Sequence, residues 1–501
     1  MSKMLSKSKL MAFRQCPRRL WLEVHRPELR TDSQAAQARF NAGYEVGEVA
    51  QRLYDPDGRG VLIDAQNEGY AQALARTRQL LGTSQPVFEA GFSADCTVAF
   101  ADVMLPVEQG DGLAWRMVEV KSSTSVKDYH RDDVAVQSFA ARRAGVSLQS
   151  VSVAHVDASW VYPGGGDYSG LLKEVDLTEE AFGRDLEMQN WVLQAGDVVS
   201  LPQEPVRDTG LHCTTPFECG FLGHCSAGKP KAEFPVTWLP RVQATPMKSH
   251  LARPDVVDMR DVPDTLLNAT QLRVKQQTLA GVPYFDNMAA ARWLQPHQAP
   301  LYFLDFETIQ FAVPRWAGTR PYEQIPFQFS LHVLTQSGDL HEESFLDLSG
   351  ADPSAAFAEA LVRACGSTGA VFVYNAGFET ARMNELGSRY PHLQPALQQI
   401  CARVVDLLPV VRAHYYHPMQ EGSWSIKKVL PAMVPTLRYD QLEGVQDGGA
   451  AMAAYIEAIS PDAAPERKAE IERQLQAYCG LDTYAMVRMW QALSGQWHLT
   501  L

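Results

Sequence analysis

Apolar and polar positions divide the chain into two strand-rich stretches with a helical stretch between them. Strand-like runs recur over residues 86–160, and a helical pattern, Asp132–Ala144, interrupts them. From Leu301 the runs LYFLDFE, FQFSLHVLT and ESFLDL predict three strands. Helices and a buried strand follow, ending in a helix over Ala464–Leu493. Alternation of this kind predicts a mixed sheet, so we expect an α/β fold in both stretches.

These patterns predict three regions in the 501 residues, which agrees with about three domains for a chain of this length. The first, 1–230, begins with helical patterns and contains the first set of strands. A segment rich in proline and charge, Lys229–Pro240, marks the boundary. A mostly helical connector over 231–299 leads to the second α/β region, 300–501.

Composition adds two constraints on location and partners. No run of eighteen apolar residues occurs and the N-terminus has no signal-peptide pattern, so we expect a cytoplasmic protein without a membrane partner. The net charge of −13 argues against a generally basic, nucleic-acid-coating surface. A local basic patch in the N-terminal segment is compatible with that charge.

The most informative chemistry of the second region is a pair of carboxylates in its first strand. Asp305 and Glu307 are two positions apart, so on a strand they share one face. Like charges held together need a compensating cation, and carboxylate oxygens favour Mg²⁺ or Mn²⁺. Glu379 begins the helix after the next buried strand, and Tyr478 and Asp482 share one face of the last helix. This set predicts a two-metal hydrolase.

With these motifs, residues 300–495 resemble the DnaQ-like (DEDD) 3′–5′ exonucleases that carry a tyrosine in the third motif. The resemblance implies an RNase H-like fold, in which four carboxylates hold two cations and Tyr478 positions a water. Glu379 stands where the family usually has aspartate. Asp406 and residues 425–430 resemble the segment that shapes the substrate cleft.

The first region has a second candidate site. Asp102 lies in one predicted strand, Glu119 and Lys121 lie on one face of another, and Gln137 lies on the following helix. Two carboxylates can bind a metal while a lysine orients water or stabilises charge on phosphate. The alternative is a surface hairpin with a salt bridge.

Four cysteines frame this first region. Cys16 precedes it, and Cys213, Cys219 and Cys225 follow it with five residues in each gap. With them, the region resembles the RecB-like PD-(D/E)XK nucleases of the iron–sulfur type, including the CRISPR-associated and AddB nucleases. The resemblance implies a restriction-endonuclease-like fold and a [4Fe–4S] cluster on the four thiolates, with zinc as the alternative.

This region departs from that family at two points. The family more often spaces its last three cysteines Cx2Cx5C. Its early helix often has a metal-binding histidine, where this chain has Gly47, and Glu48 is a possible substitute ligand.

Together, the two resemblances predict a metal-dependent nuclease. We expect a 3′–5′ exonuclease on single-stranded or end-containing DNA, with a second RecB-like site, in DNA repair or in phage or CRISPR-type defence. Three alternatives remain open at this point. They are an iron–sulfur DNA-binding module beside one active exonuclease, an RNA-processing exonuclease, and a scaffold with degenerate sites.

Overall fold

The computed structural model describes residues 4–109, 112–228, 232–253 and 255–496. Its chain forms two compact units, both built from helices and mixed sheets, so the expected α/β class is confirmed. Unit 1 comprises Met1–Lys229 and Phe311–Glu323, and unit 2 comprises Pro230–Gln310 and Gln324–Leu501. The boundary predicted at 230/231 lies outside the described residues. No helix among those described is long and apolar enough to cross a membrane.

Unit 1 is organised around a seven-stranded sheet. Its elements, in chain order, are β1 (Leu5–Ser6), α1 (Lys7–Gln15), α2 (Pro17–His25), α3 (Gln34–Tyr54), β2 (Val61–Leu62), α4 (Ala65–Glu68), α5 (Tyr70–Leu80), β3 (Val87–Ala94), β4 (Thr97–Gln109), β5 (Gly112–Lys121), α6 (Asp128–Arg143), β6 (Leu148–Val156), β7 (Leu172–Asp176), α7 (Thr178–Phe182), α8 (Asp185–Val199) and α9 (Leu222–Ser226). The strand order is β2-β3-β4-β5-β6-β7, and β1 pairs with β4. Strands β3, β4 and β5 run antiparallel in turn, and β5 pairs in parallel with β6.

The two faces of β5 have different partners. Trp115 and Met117 pack in one core with residues of α6, while Val118 packs in another core with Phe88 of β3. Because side chains alternate along a strand, Glu119 and Lys121 continue the face that holds Trp115 and Met117. The sheet therefore directs both polar side chains toward the side covered by α6.

Unit 2 is organised around a five-stranded sheet. Its elements are α10 (Thr245–Leu251), α11 (Ala269–Ala280), β8 (Tyr284–Phe285), α12 (Asn287–Leu294), β9 (Leu301–Ile309), β10 (Ile325–Leu334), β11 (Leu340–Leu346), α13 (Ser354–Ala364), β12 (Ala370–Val373), α14 (Gly377–Arg389), α15 (Gln394–Cys401), β13 (Val404–Asp406), α16 (Leu407–His414), β14 (Tyr415–Tyr416), α17 (Ile426–Met433), α18 (Gly448–Ala458) and α19 (Pro465–Ser494). The strand order is β11-β10-β9-β12-β13, which places β9 at the centre. It pairs antiparallel with β10 and parallel with β12.

Strand β9 separates two hydrophobic cores. Leu301 and Phe303 pack in the core that includes Trp490 of α19, whereas Leu304 and Phe306 pack in the core that includes α13 and α14. The odd-numbered face continues with Asp305 and Glu307. The alternation therefore turns both carboxylates toward the α19 side of the sheet.

The connection from β9 to β10 belongs to unit 1. Within that unit the Gly318 N–H donates to the Tyr162 carbonyl at 2.8 Å, and the Tyr162 N–H donates to the Thr319 carbonyl at 2.9 Å. Tyr322 donates a hydrogen bond to the Ser122 carbonyl, next to Lys121. Ala312 and Val313 join a small core with Val46 and Val49 of α3. These contacts hold residues 311–323 in unit 1.

Candidate active sites

Three carboxylates converge in unit 2. Asp305 and Glu307 extend from β9, Asp482 extends from α19, and one oxygen of each lies within 4.8 Å of the others. Strand periodicity aligns the first two, and packing of α19 on the same face brings the third. This spacing matches oxygen ligands that share a divalent cation.

The electrostatics of this carboxylate group show how much it favours a positive charge. Burial raises the pKa of Asp305 well above its ordinary value, and the neighbouring carboxylates raise it further. Burial and Asp482 raise the pKa of Glu307 to about 8, and burial raises the pKa of Asp482 to about 6. Bound cations would stabilise the ionised forms, so the donor set fits Mg²⁺ or Mn²⁺.

Glu379 lies beside this group and is not one of the three converging residues. It sits in the first turn of α14 with 2% of its surface exposed, and its Oε2 has no hydrogen-bond partner among the described atoms. Burial raises its pKa to about 8, and its charge raises the pKa of Asp305. The structure thus brings together three of the four predicted ligands. The fourth, Glu379, lies close enough for its charge to raise the pKa of Asp305.

Asp406 fixes the turn that precedes Glu379. Its two carboxylate oxygens accept hydrogen bonds from the backbone N–H groups of Asn375 and Ala376, at 2.9 and 3.1 Å. Asp406 also caps α16 through the Leu408 N–H. Its function in the structure is therefore to hold the beginning of α14, from which Glu379 projects.

Two further residues border this site. No sequence motif indicated Tyr439, whereas Lys427 lies in the segment 425–430 that resembles the cleft-shaping segment of the family. Tyr439 donates a short hydrogen bond to Asp482, and its ring centroid lies 6.3 Å from that of Tyr478. The Lys427 Nζ lies 5.0 Å from the Tyr478 ring centroid and lowers the pKa of Glu307 and of Asp482. Tyr478 itself is 4% exposed. A tyrosine pair and one ammonium group therefore border the carboxylates.

The candidate residues of unit 1 also form one cluster. The Lys121 Nζ lies 2.6 Å from Glu119 Oε1 and 2.5 Å from Asp133 Oδ2. Asp102 accepts a hydrogen bond of 2.6 Å from the Val120 N–H, which holds it beside Glu119 across the β4–β5 pair. Gln137 donates to Glu119 Oε2 at 2.6 Å and is fully buried. Gln137 therefore holds the Glu119 carboxylate from the side of α6.

Lys7 and Asp133 are the members of this cluster that the sequence motifs did not indicate. Lys7 Nζ lies 2.9 Å from Glu119 Oε1 and 3.2 Å from Asp133 Oδ1. Burial alone would lower the pKa of Lys7 and Lys121, but Asp133 and Glu119 raise both. Burial opposes ionisation of Glu119, yet the two ammonium groups hold its pKa below its ordinary value.

Asp102 behaves differently from Glu119. Burial raises its pKa well above the ordinary value, and the Glu119 charge adds to the shift. Glu89, on the adjacent strand β3, has a raised pKa for the same two reasons. The cluster therefore has two carboxylates, Glu119 and Asp133, in ion pairs with the lysines, and two, Asp102 and Glu89, that lack sufficient compensating charge. A divalent cation at Asp102 and Glu119 would supply it.

The cluster opens into a cleft of about 1180 Å³. Glu48 of α3 lines this cleft, on the same helix face as Gly47. Glu48 thus lines the same cleft as Asp102 and Glu119, but among the described residues these three do not form a group whose ligand atoms all lie within 4.8 Å of one another.

The four predicted cluster cysteines line one small cavity of unit 1. Cys16, Cys213, Cys219 and Cys225 share its wall with Arg18 and Arg19. Gln15 holds the cysteine-bearing loop in place by donating to the carbonyls of His212 and Phe217, both at 2.8 Å. Burial raises the pKa of Cys219 and Cys225.

Four thiols in the wall of one cavity are a donor set that suits a metal centre. Zinc bound by four cysteines and a [4Fe–4S] cluster both use such a set. No three cysteines of the described residues have sulfurs within 4.8 Å of one another. The residues present are therefore compatible with either group.

Part of unit 2 matches a known family model. A family model described as a domain of unknown function, DUF2779, matches residues 302–425. The matched range includes Asp305, Glu307 and Glu379 and ends before α19. Among curated proteins no match to this chain was found.

Proposed function

We propose that the protein is a metal-dependent nuclease whose unit 2 is a 3′–5′ exonuclease acting on single-stranded DNA. The observation that carries this proposal is the convergence of Asp305, Glu307 and Asp482 at the centre of a mixed sheet. The position of β9 as central strand supports an RNase H-like fold of the DnaQ type.

The side chains of unit 2 suit this chemistry. Asp305, Glu307 and Asp482 would hold the cations, with Glu379 on the side of Asp305. Bound Mg²⁺ or Mn²⁺ would activate water and stabilise charge on the leaving oxygen. Tyr439 keeps Asp482 oriented through its hydrogen bond. Lys427 provides a positive charge beside Tyr478, where a phosphate group would need one.

We infer a second nuclease site of the PD-(D/E)XK type in unit 1. Asp102 and Glu119 would bind its metal, and Lys121 would face the phosphate. The contacts of Lys121 with Glu119 and Asp133 support this assignment, because they fix the ammonium beside the metal-binding carboxylate. The four cysteines would hold a [4Fe–4S] cluster that ties α1 and α2 to the loop before α9.

Substitution of one residue in each site tests the two assignments separately. We expect Asp305→Asn to remove Mn²⁺-dependent shortening of 3′-ended single strands, because a metal ligand is lost. Lys121→Ala should remove only the activity that survives Asp305→Asn. Product ladders on 5′-labelled and 3′-labelled DNA report each activity.

Matched controls are Asp339→Asn and Lys127→Ala, which alter exposed or surface residues of the same type in each unit. Full activity in Asp305→Asn would contradict the unit 2 assignment. If Lys121→Ala retains all activity and Asp305→Asn has none, unit 1 is a DNA-binding module. Preferential cleavage of matched RNA strands would favour RNA processing, and no cleavage with either metal would favour a scaffold.

A further inference from the structure

One face of helix α3 lines the cleft of unit 1. Besides Arg39, the residues of this helix that line it are Phe40, Gly43, Tyr44, Gly47, Glu48 and Gln51. Their spacing of three and four residues places them on a single helical face. Tyr70, at the beginning of α5, also lines the cleft, and so do Asp102, Glu119 and Lys121, which we call its floor. The cleft therefore connects this helix face directly with the candidate nuclease site.

The walls of this cleft carry exposed aromatic rings. Tyr44 is 69% exposed, Tyr70 is 62% exposed and Phe40 is 48% exposed. All three line the same cleft, as does the exposed Leu62. Exposed apolar residues gathered in one place, beside a polar site, are typical of a binding surface.

Two glycines keep the same helix face open. Glycine weakens the interior of a helix relative to alanine, so a packing reason is expected where it occurs. A Cβ atom added at Gly43 or Gly47 would meet no atom within 4 Å. The surrounding protein therefore does not require glycine at either position. Both glycines line the cleft, so the open space beside them is part of it.

The charges of the cleft restrict what can bind there. Lys7, Arg39 and Lys121 are its basic residues. Its acidic residues are more numerous: Glu48, Asp64, Glu89, Asp102 and Glu119. A phosphate chain would be repelled by this set unless a divalent cation offset the carboxylates on the floor.

We propose that this cleft binds an unpaired nucleic-acid strand, with bases stacked on Tyr44, Tyr70 and Phe40 and the backbone held through a divalent cation at the floor. Aromatic side chains stack on any unpaired base, whereas bases in a duplex already stack on each other. The volume exceeds the roughly 300–1,000 Å³ of small-molecule pockets, so it admits more than one nucleotide. The proposal rests on the second nuclease site proposed above.

Cross-linking to the full-length protein tests this directly. A single-stranded DNA containing 5-iododeoxyuridine is irradiated with the protein in Ca²⁺, which occupies oxygen ligands with flexible geometry. Peptide mapping should find cross-links at Tyr44, Tyr70 or Phe40. The same sequence as single-stranded RNA and as blunt duplex DNA provides two further arms. We expect cross-links with unpaired strands, loss with the duplex, and loss in EDTA.

Substitutions test whether a loss of binding comes from the loss of a stacked ring or from disturbed folding. Each aromatic-to-alanine change should weaken binding at this cleft roughly 5- to 150-fold, the range for loss of one stacked base. The matched control is Leu186→Ala with Leu193→Ala, which removes exposed apolar side chains of α8 in the same unit. Gly43→Ala with Gly47→Ala should raise the unfolding temperature and weaken cross-linking, because alanine favours the helix but enters the cleft.

The outcomes distinguish this proposal from the nuclease assignment. Cross-links that map only to unit 2, that persist unchanged in EDTA, or that form equally with duplex would overturn it, even if cleavage is observed. Cross-links at the three aromatic residues support it, even if Lys121→Ala has no effect on cleavage. Binding of unpaired RNA and DNA alike shows that the cleft recognises bases and not the sugar.

Discussion

Single residues of unit 2 show that the carboxylate site carries an energetic cost when no cation compensates its charge. Glu307 and Asp482 are nearly excluded from water, and nearby Lys427 provides only partial compensation. Without a metal, such groups favour the protonated form. Their ionisation is therefore linked both to folding and to metal binding.

Because of this linkage, the stability of the metal-free protein should fall as the pH rises. The pKa of Glu307 is raised from 4.5 to about 8 in the folded state. Its contribution to stability is therefore fully present below pH 4.5 and is lost as pH rises through about 8. Buried histidines with a lowered pKa, such as His130 and His332, act in the opposite direction up to about pH 6.5. We therefore expect the unfolding temperature in EDTA to decrease from about pH 6.5 to pH 9, and Mn²⁺ to restore it most at high pH.

The control for this pH series is Glu307→Gln, in which the decrease should be smaller because one titrating group is removed. The lowered pKa of Glu119 in unit 1 has the opposite sign, but its effect falls below pH 4.5 and outside the series. A metal-free unfolding temperature that stays constant or rises over this range would contradict the prediction.

Tyr439 provides the second residue-scale prediction. Its hydroxyl donates to Asp482, and hydrogen bonds to charged groups contribute about 1.5–3 kcal/mol. In Tyr439→Phe we expect a roughly ten- to hundredfold increase in the Mn²⁺ concentration needed for half-maximal activity. Tyr478→Phe is the comparison, because it should lower the maximal rate and leave the metal requirement unchanged. An unaltered Mn²⁺ requirement in Tyr439→Phe would show that the bond does not position the ligand.

What could be predicted at this scale depended on distance along the chain. Asp305 and Glu307 were visible because strand periodicity alone aligns them. Lys7, by contrast, is 112 positions from Glu119, and only the packing of α1 against α6 and the sheet brings the two together. No local pattern distinguishes such a lysine from a solvated one. The same holds for Tyr439, which is 43 positions from Asp482.

At the scale of elements, long periodic segments were predictable and short ones were not. The sequence predicted the last helix over Ala464–Leu493, and α19 is observed one residue later at each end, over Pro465–Ser494. Helix α6 begins at Asp128, four residues before its predicted start, because its first turn is polar and carries no apolar period. Strands of two residues, such as β1 and β8, are too short for any alternation to appear.

The prediction at the scale of elements concerns the cysteines that connect α1 and α2 with the loop before α9. We expect anaerobically purified protein to be brown and to hold about four irons per chain. Cys219→Ser should remove the colour and the iron, since a cluster ligand is lost. It should also expose α1 and α2 to limited proteolysis. The control is Cys401→Ser in unit 2, which should keep both the colour and the iron. A colourless protein that contains zinc would contradict this prediction.

At the scale of the whole molecule, composition and patterning indicated two α/β regions and a helical connector. The helices of the connector contribute to the main core of unit 2, where Met247, Val274 and Leu294 pack with Phe303 and Trp490. Amphipathic helices without a core of their own need such a partner surface. The sequence could not show which region would supply it, because apolar faces on a helix do not identify what covers them.

Residues 311–323 belong to unit 1, although the residues on both sides of them belong to unit 2. This path of the chain limits where the gene can be divided. Each unit is encoded in two separate pieces, so no single break in the reading frame yields two intact halves. A truncation near residue 300 would deprive the amino-terminal product of the segment that packs on Val46 and binds the Ser122 carbonyl. It would leave the carboxy-terminal product with an apolar loop bearing Ala312 and Val313 and no surface to cover it. The path of the chain therefore requires that both units be encoded together in one polypeptide.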